Sequence, residues 1–421
     1  MDKFVIKGGN RLCGRVKISG AKNGSLALMP ATILAPGIYH LSNTPNLKDV
    51  WTMSRLMNSL GGFIELNDNS LFIDTRSLNS FEAPYEHVKN MRASFYVLGP
   101  LLSRFGEARV SLPGGCAWGP RPVDLHIKGM EKLGAEISLE NGYVVAKANG
   151  GKLTGAKINF EISSVGATGN VLMAATLAKG TTLISNAATE PEITALAKML
   201  IKMGAKIDGI GTTTLEIEGV TDLQPTDETT IPDRIEAATY LIAAAATGGN
   251  VELYDCNPYH LTSVIAILED AGCKIDVNSD NISLEANDIN SVDITTAIYP
   301  AIPTDIQPQW VSLMMMAKGN SKICDPIYKD RFKHIPEMVR LGGNIELIEH
   351  TAFVKGGSKL MGASVMAADL RAGAALVIAG LIAEGTTEVL RIYHIDRGYE
   401  IFEKKLTDLG ANIKRVKTDL I

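Results

Sequence analysis

A chain of 421 residues is too long for one compact core, and 46% hydrophobic residues can fill two or more. A formal net charge of -5, with Lys and Arg interspersed among acids, argues against nucleic acid as a main partner. Five scattered cysteines, without CxxC or Cys/His ligand spacing, point to a reducing cytoplasmic setting and to no structural zinc.

The opening MDKFVIKGGN lacks the apolar core of a signal peptide. No apolar run reaches the ~18 residues of a membrane span, so no membrane partner is expected. The first long apolar segment, SLALMPATILAPG, is hydrophobic nearly all round and predicts a fully buried helix. Behind it, VWTMSRLMNSLGG carries Val50, Met53, Met57 and Leu60 on one face, which predicts an amphipathic outer helix. Gly61 ends that helix in the left-handed conformation, and FIEL reads as a strand. The pair then recurs down the chain. Inner helices are predicted in ASFYVLGPLLSRFG, TGNVLMAATLAKG, AATYLIAAAATGG, QWVSLMMMAKG and LRAGAALVIAGLIAEG. Outer helices precede LGAEISL, MGAKIDG (with Leu196, Met199, Leu200 and Met203 on one face), AGCKIDV, LGGNIEL and LGANIKR. The shared glycines Gly61, Gly134, Gly204, Gly272, Gly342 and Gly410 are 73, 70, 68, 70 and 68 residues apart. A period of ~70 exceeds the roughly 20–50 residues of a solenoid and predicts two globular domains of three α/β units each.

Polar motifs fall directly before the inner helices. They are Lys22 and Asn23 in GAKNGSL, Arg92 in KNMRASF, Ser164 and Gly166 in SSVGATGN, Arg234 and Glu236 in PDRIEAA, Asp305 in PTDIQPQ, and Asp369 and Arg371 in AADLRAG. A helix N-terminus presents unpaired N–H groups and the positive end of its dipole, so it is a ready anion site. Cations there work against the dipole and serve something other than helix stability. Converging ends of this kind predict an anion-selective cleft lined by solvated cations. One loop stands apart: SLPGGCAWGPRPVDLH is too rich in Gly and Pro for a helix or strand interior, yet it holds Cys116, Trp118 and Arg121.

GAKN, GGCAWGPRPVDLH, SVGAT, PDRIEA, PTD.Q, DRF.H.PE, DLRA and RIYHIDRGYE together resemble the UDP-N-acetylglucosamine 1-carboxyvinyltransferases from the first strand to the last helix. The resemblance implies the enolpyruvyl transferase fold, an α/β architecture of two three-unit domains with buried helices ringed by sheets and outer helices. It places one domain at about 20–229 and the other at 1–19 plus 230–421, with the active site between them. It implies transfer of enolpyruvyl from phosphoenolpyruvate to the 3'-hydroxyl of UDP-N-acetylglucosamine, with no metal or organic cofactor and no obligate protein partner.

Site residues follow from the resemblance alone. Cys116 is the general acid, on a loop that acts as a lid, and its thiol can add to phosphoenolpyruvate. Lys22, Arg121 and Arg397 hold the phosphate; Arg331 and Arg371 hold the carboxylate, which suits a planar fork. Asp305 is the base at the sugar hydroxyl, although PTD.Q also fits a helix N-cap. Asp369 assists proton transfer or orients its neighbours. Asn23 binds the sugar. Arg92, the run Arg121, Pro122, Val123, Asp124 and Leu125, then Ser164, Val165, Gly166 and Ile327 line the nucleotide-sugar site. Arg234 belongs to the uridine end or to the hinge. Some relatives carry a lysine shortly before SVGAT; FEISSVGAT here lacks it. Two other readings stay open: enolpyruvyl transfer to shikimate 3-phosphate, and a non-catalytic six-unit ring clamp, which would need a basic inner face on its helices.

Overall fold

Helix-ending glycines set the rhythm of the fold. A computed structural model describes residues 2–89, 91–113 and 123–417, and in it Gly61, Gly134, Gly204, Gly272, Gly342 and Gly410 all have φ between 86° and 110°. Side chains adopt that region at a cost, so glycine closes each outer helix and turns the chain into a strand.

One repeat shows the plan. The strand Lys157–Asn159 runs parallel to Thr181–Ser185, which pairs antiparallel with Thr214–Glu218, itself antiparallel to Lys206–Asp208. Parallel neighbours need a long crossover, and the inner helix Val165–Ala175 supplies it. The outer helix Pro191–Lys202 then leads into the antiparallel pair. Six four-stranded sheets share this plan. The other inner helices are Lys22–Ala31, Leu98–Phe105, Arg234–Ala246, Gln307–Met314 and Leu370–Ile382. Every residue from Ile235 to Ala246 is buried, as an all-round apolar helix requires. The outer helix Lys48–Ser59 buries Val50, Met53 and Met57 and leaves its other face to water.

Two inner segments depart from a simple helix. Arg92–Val97 and Thr304–Ile306 are tight 3₁₀ turns before the α-helices begin. In each case a proline, Pro100 or Pro308, lies in the first α-turn, where its missing N–H costs nothing.

The chain divides into a contiguous domain, Gly20–Ile231, and a split domain, Met1–Ser19 with Pro232–Ile421. The second boundary falls after Ile231 rather than after residue 229. The reason is hydrogen bonding: the Thr230 N–H donates to Ser42 and the Ile231 carbonyl accepts from Ala21, both in the contiguous domain. Each domain has its own hydrophobic core.

The split arises from exchanged edge strands. Cys13–Lys17 precedes the first inner helix but pairs with Asn250–Tyr254 of the fourth repeat. Glu228–Thr229 precedes the fourth inner helix but pairs with Ile38–Ser42 of the first. The sixth sheet is completed by Asp2–Lys7, inserted between Thr386–Leu390 and Asn412–Lys417. No helix among the described residues is long and apolar enough to cross a membrane.

Candidate active site

In the split domain, inner-helix starts gather a charged cluster. Asp305 lies in the turn Thr304–Ile306, before the inner helix Gln307–Met314. Its Oδ1 accepts from Arg331 Nη1 at 2.5 Å and lies 3.4 Å from Arg371 Nε. Asp369 caps the helix Leu370–Ile382, its Oδ1 accepting the Arg371 and Ala372 N–H groups at 2.8 and 3.1 Å. Asp369 Oδ2 is buried without a hydrogen-bond partner among the described residues. Burial raises the Asp369 pKa, against the pull of its N–H donors and Arg331. A proton on Oδ2 therefore costs little there.

Arg371 is only 5% exposed, which corrects the expectation of a solvated cation. Burial opposes its charge, but Asp305, followed by Tyr399 and Asp233, holds its pKa above the ordinary value. Arg371 Nη1 is buried and unpaired among the described residues. A charge so placed is tolerated only because it is paired, and the open donor leaves room for a second anion.

Asp325, which the sequence did not mark, shapes the neighbouring loop. Fully buried, it accepts from the Thr296 and Thr304 hydroxyls at 2.7 and 2.6 Å and from the Ile327 and Tyr328 N–H groups at 3.1 and 2.9 Å. It thereby ties the turn bearing Asp305 to the loop bearing Ile327, whose side chain is exposed. Arg397 ends the turn Ile392–Arg397, where a cation suits the helix dipole. Arg234 opens its helix behind the Asp233 cap, with its guanidinium carbon 5.4 Å from the centre of the Tyr299 ring.

In the contiguous domain, Lys22 opens the first inner helix, with Nζ 3.5 Å from Asp49 Oδ2. Asp49 is nearly buried on the adjoining outer helix and steers this lysine, a partner that its own sequence context did not reveal. Asn23, next in the helix, is partly exposed.

Arg92, Phe95, Gly166 and Asn170 meet around His126. Ser164 caps the helix Val165–Ala175 by accepting from the Ala167 N–H at 3.3 Å. The Tyr96 hydroxyl donates to the Val165 carbonyl at 3.2 Å. Gly166 is needed because an added Cβ would come within 3.0 Å of His126 Nε2 and Cε1. Asn170 Oδ1 accepts from the Gly99 N–H at 2.6 Å, so its amide nitrogen faces the Phe95 carbonyl and His126 Nδ1 at 2.8 and 3.0 Å. His126 Nδ1 is then an acceptor, and the ring proton sits on Nε2, beside Gly166. Burial first, and Arg92 second, push the His126 pKa down to about 3. The imidazole is a neutral donor across the physiological range. Val123 is buried, Asp124 exposed and Leu125 partly exposed at the start of Asp124–Lys132. Ile162, in the run without a lysine, is 71% exposed. Cys116, Trp118, Arg121 and Pro122 lie outside the described residues. Among the described residues no group of His, Cys, Asp and Glu side chains has a metal-binding arrangement.

The family model described as EPSP synthase (3-phosphoshikimate 1-carboxyvinyltransferase) matches residues 6–406, and the chain belongs to this family of carboxyvinyltransferases. Within it, the chain is 55% identical over 99% of both chains to a protein of Chlorobium limicola named UDP-N-acetylglucosamine 1-carboxyvinyltransferase. A protein of the same name from Chloroherpeton thalassium is 54% identical over 100% of this chain and 98% of its own. Among solved structures, the enolpyruvyl transferase NikO from Streptomyces tendae aligns with a TM-score of 0.89 at 25% identity, covering 98% of each chain. EPSP synthase from Acinetobacter baumannii aligns at 0.76 and 18% identity over 99% of this chain and all of its own, a likeness of fold alone.

Proposed function

We propose that this chain is an enzyme that transfers the enolpyruvyl group of phosphoenolpyruvate to the 3'-hydroxyl of UDP-N-acetylglucosamine and releases phosphate. The observation that carries this reading is the 55% identity, over 99% of both chains, to a protein named for that transfer. In a bacterial cell this is the first committed step of peptidoglycan synthesis, a cytoplasmic reaction on which cell shape and division depend.

The reaction is an addition followed by an elimination. The sugar oxygen attacks C2 of phosphoenolpyruvate and loses its proton, while C3 gains one, giving a tetrahedral ketal. Phosphate then leaves C2 as C3 gives a proton back. The chemistry needs an acid at C3, a base at the hydroxyl and cations for two anionic groups.

In this reading Cys116 is the acid and Asp305 the base. Lys22, Arg121 and Arg397 take the phosphate; Arg331 and Arg371 take the carboxylate. The shared Asp305 contact of Arg331 and Arg371 supports the pairing. An incoming carboxylate competes with Asp305 for two guanidiniums, which frees an Asp305 oxygen for the sugar hydroxyl. Asp369, whose burial favours its protonated form, handles a proton next to the same cations. Arg92, the His126 neighbourhood and Ser164 to Gly166 serve the nucleotide sugar with Asn23, Val123 to Leu125 and Ile327.

Phosphate release from phosphoenolpyruvate should depend on UDP-N-acetylglucosamine and should not occur with shikimate 3-phosphate instead. The opposite dependence would favour the shikimate reading, for which the family description is the only support. Cys116→Asp should retain turnover and resist the epoxide phosphonate fosfomycin, whereas Cys116→Ala should lose turnover while folded. Full activity in Cys116→Ala would remove the thiol from the mechanism.

A further inference from the structure

We infer that Tyr399 is the positioning residue for Arg371, held in place by a buried hydrogen-bond relay through Gln309 and Thr239. The inference rests on the reading above, in which Arg371 grips the carboxylate of phosphoenolpyruvate.

Three buried inner helices of the split domain meet at this relay. Thr239 is on Arg234–Ala246, Gln309 on Gln307–Met314, and Arg371 on Leu370–Ile382. Thr239 and Gln309 are fully buried, and Tyr399 is 2% exposed. The Thr239 hydroxyl donates to the Ile235 carbonyl at 2.7 Å, so its proton is committed. At the 2.9 Å contact between the two hydroxyls, Tyr399 must therefore be the donor. Gln309 Nε2 donates to both, at 3.2 Å to Thr239 Oγ1 and 3.1 Å to the Tyr399 hydroxyl. Arg371 also hydrogen-bonds the Tyr399 hydroxyl. The hydroxyl is pinned at one end of the ring, and Phe402 packs on it with ring centres 4.7 Å apart.

Against this fixed ring lies Arg371, its guanidinium carbon 5.5 Å from the ring centre. That is within cation–π range, in a site with little water to weaken the attraction. Arg371 thus has two supports: Asp305, which a substrate carboxylate can displace, and Tyr399, which it cannot. When Asp305 is released, Tyr399 keeps the guanidinium in place, with the charge of Asp233 acting alongside it. A lysine has no planar face to stack, so an ammonium would lose this second support.

The test is Tyr399→Phe, which keeps the ring and removes the relay, measured beside Gln309→Leu, which removes one donor at similar volume. Tyr399→Phe should raise the KM for phosphoenolpyruvate about tenfold, the scale of one lost hydrogen-bond anchor, and leave the KM for UDP-N-acetylglucosamine unchanged. Gln309→Leu should move the same constant in the same direction by less. Equal rises in both KM values, or a lower melting temperature with both constants unchanged, would mean a purely structural role and overturn the proposal. A crystal structure of Tyr399→Phe tests it whatever the substrate: a displaced Arg371 guanidinium is expected, and one superimposing on the wild type overturns it. Sugar-independent wild-type behaviour would count against the function, not against this geometry.

Discussion

The two domains share one topology but differ in how much charge they bury. Each has polar side chains where its inner helices meet. In the split domain the neutral relay of Thr239, Gln309 and Tyr399 is joined by charged groups: Asp305 between Arg331 and Arg371, and Glu236 with Lys405, whose Nζ is 2.8 Å from Glu236 Oε1 with both side chains buried. In the contiguous domain the corresponding hub is neutral: Asn170, His126 and backbone groups of Phe95 and Gly99. A buried ion pair offsets its desolvation only while both partners are present; a neutral hub needs only satisfied hydrogen bonds. A buried charged pair and a neutral hub therefore carry different penalties when one member is removed.

The largest expected effect tests that asymmetry directly. Glu236→Gln leaves Lys405 as an uncompensated charge and should destabilise by ~3–5 kcal/mol. Asn170→Ala, in the neutral hub of the contiguous domain, should cost ~1–3 kcal/mol. Urea unfolding of both variants measures the difference, and equal losses would break the comparison.

Next is Arg371→Ala, expected to lower kcat/KM by ~2–4 kcal/mol of transition-state stabilisation, the scale of one charge-assisted contact. Because Arg371 is buried, stability should fall as well, although Asp305 keeps Arg331 as a partner. Turnover within twofold of wild type would remove Arg371 from the site.

Acid sharpens the contrast further. The folded pKa of His126, about 3, lies below its ordinary 6.5, so its contribution is complete above pH 6.5 and lost as pH falls toward 3. The slope approaches about 1.4 kcal/mol per pH unit within that window. His334 in the split domain, also pushed down to about 3 by burial, has the same sign. Glu236 and Asp369 there are raised by burial, so their contributions return as pH falls. The split domain is therefore partly buffered. At pH 5, deuterium uptake should rise more in Val165–Ala175 than in Leu370–Ile382, and His126→Gln should flatten the response. Uptake rising first in Leu370–Ile382 would reverse the assignment.

The smallest effect concerns strain. Ile401 is exposed with φ of 43°, a region that a β-branched side chain occupies at a cost. Ile401→Gly should therefore raise stability by ~1 kcal/mol, read as a higher urea midpoint; a lower midpoint would mean that the side chain contributes more than the strain costs.

Local features were legible in the sequence because one residue carries each of them. The six helix-ending glycines needed only positive φ, and the inner helices only their all-round apolarity. Strand exchange was not legible: nothing in CGRVK says that its partner lies near residue 250 rather than within its own repeat. In PTDIQPQ, Asp305 fitted both base and cap, and nothing local pointed to its ion pairs with Arg331 and Arg371. Asp49, His126, Asp325 and Tyr399 escaped notice because their importance lies in what they touch, and those partners are distant in sequence. The solvated picture of Arg371 failed for the same reason: a basic residue carries no local sign of the Tyr399 ring and Asp305 that enclose it.

The exchanged strands also set a timetable on the ribosome. The contiguous domain has every strand it needs once Glu228–Thr229 has emerged. The split domain does not: Asp2–Lys7 waits for Thr386–Leu390 and Asn412–Lys417, about 380 residues later. At ~5–20 residues per second that interval is on the order of 20–80 s. Throughout it the growing polypeptide holds out a bare strand with an open row of N–H and C=O groups, the feature that invites pairing with another chain. Asp2–Lys7 is covered only by strands made about 380 residues later, so its vulnerability is decided by the order of translation rather than by the strength of the contacts it finally makes.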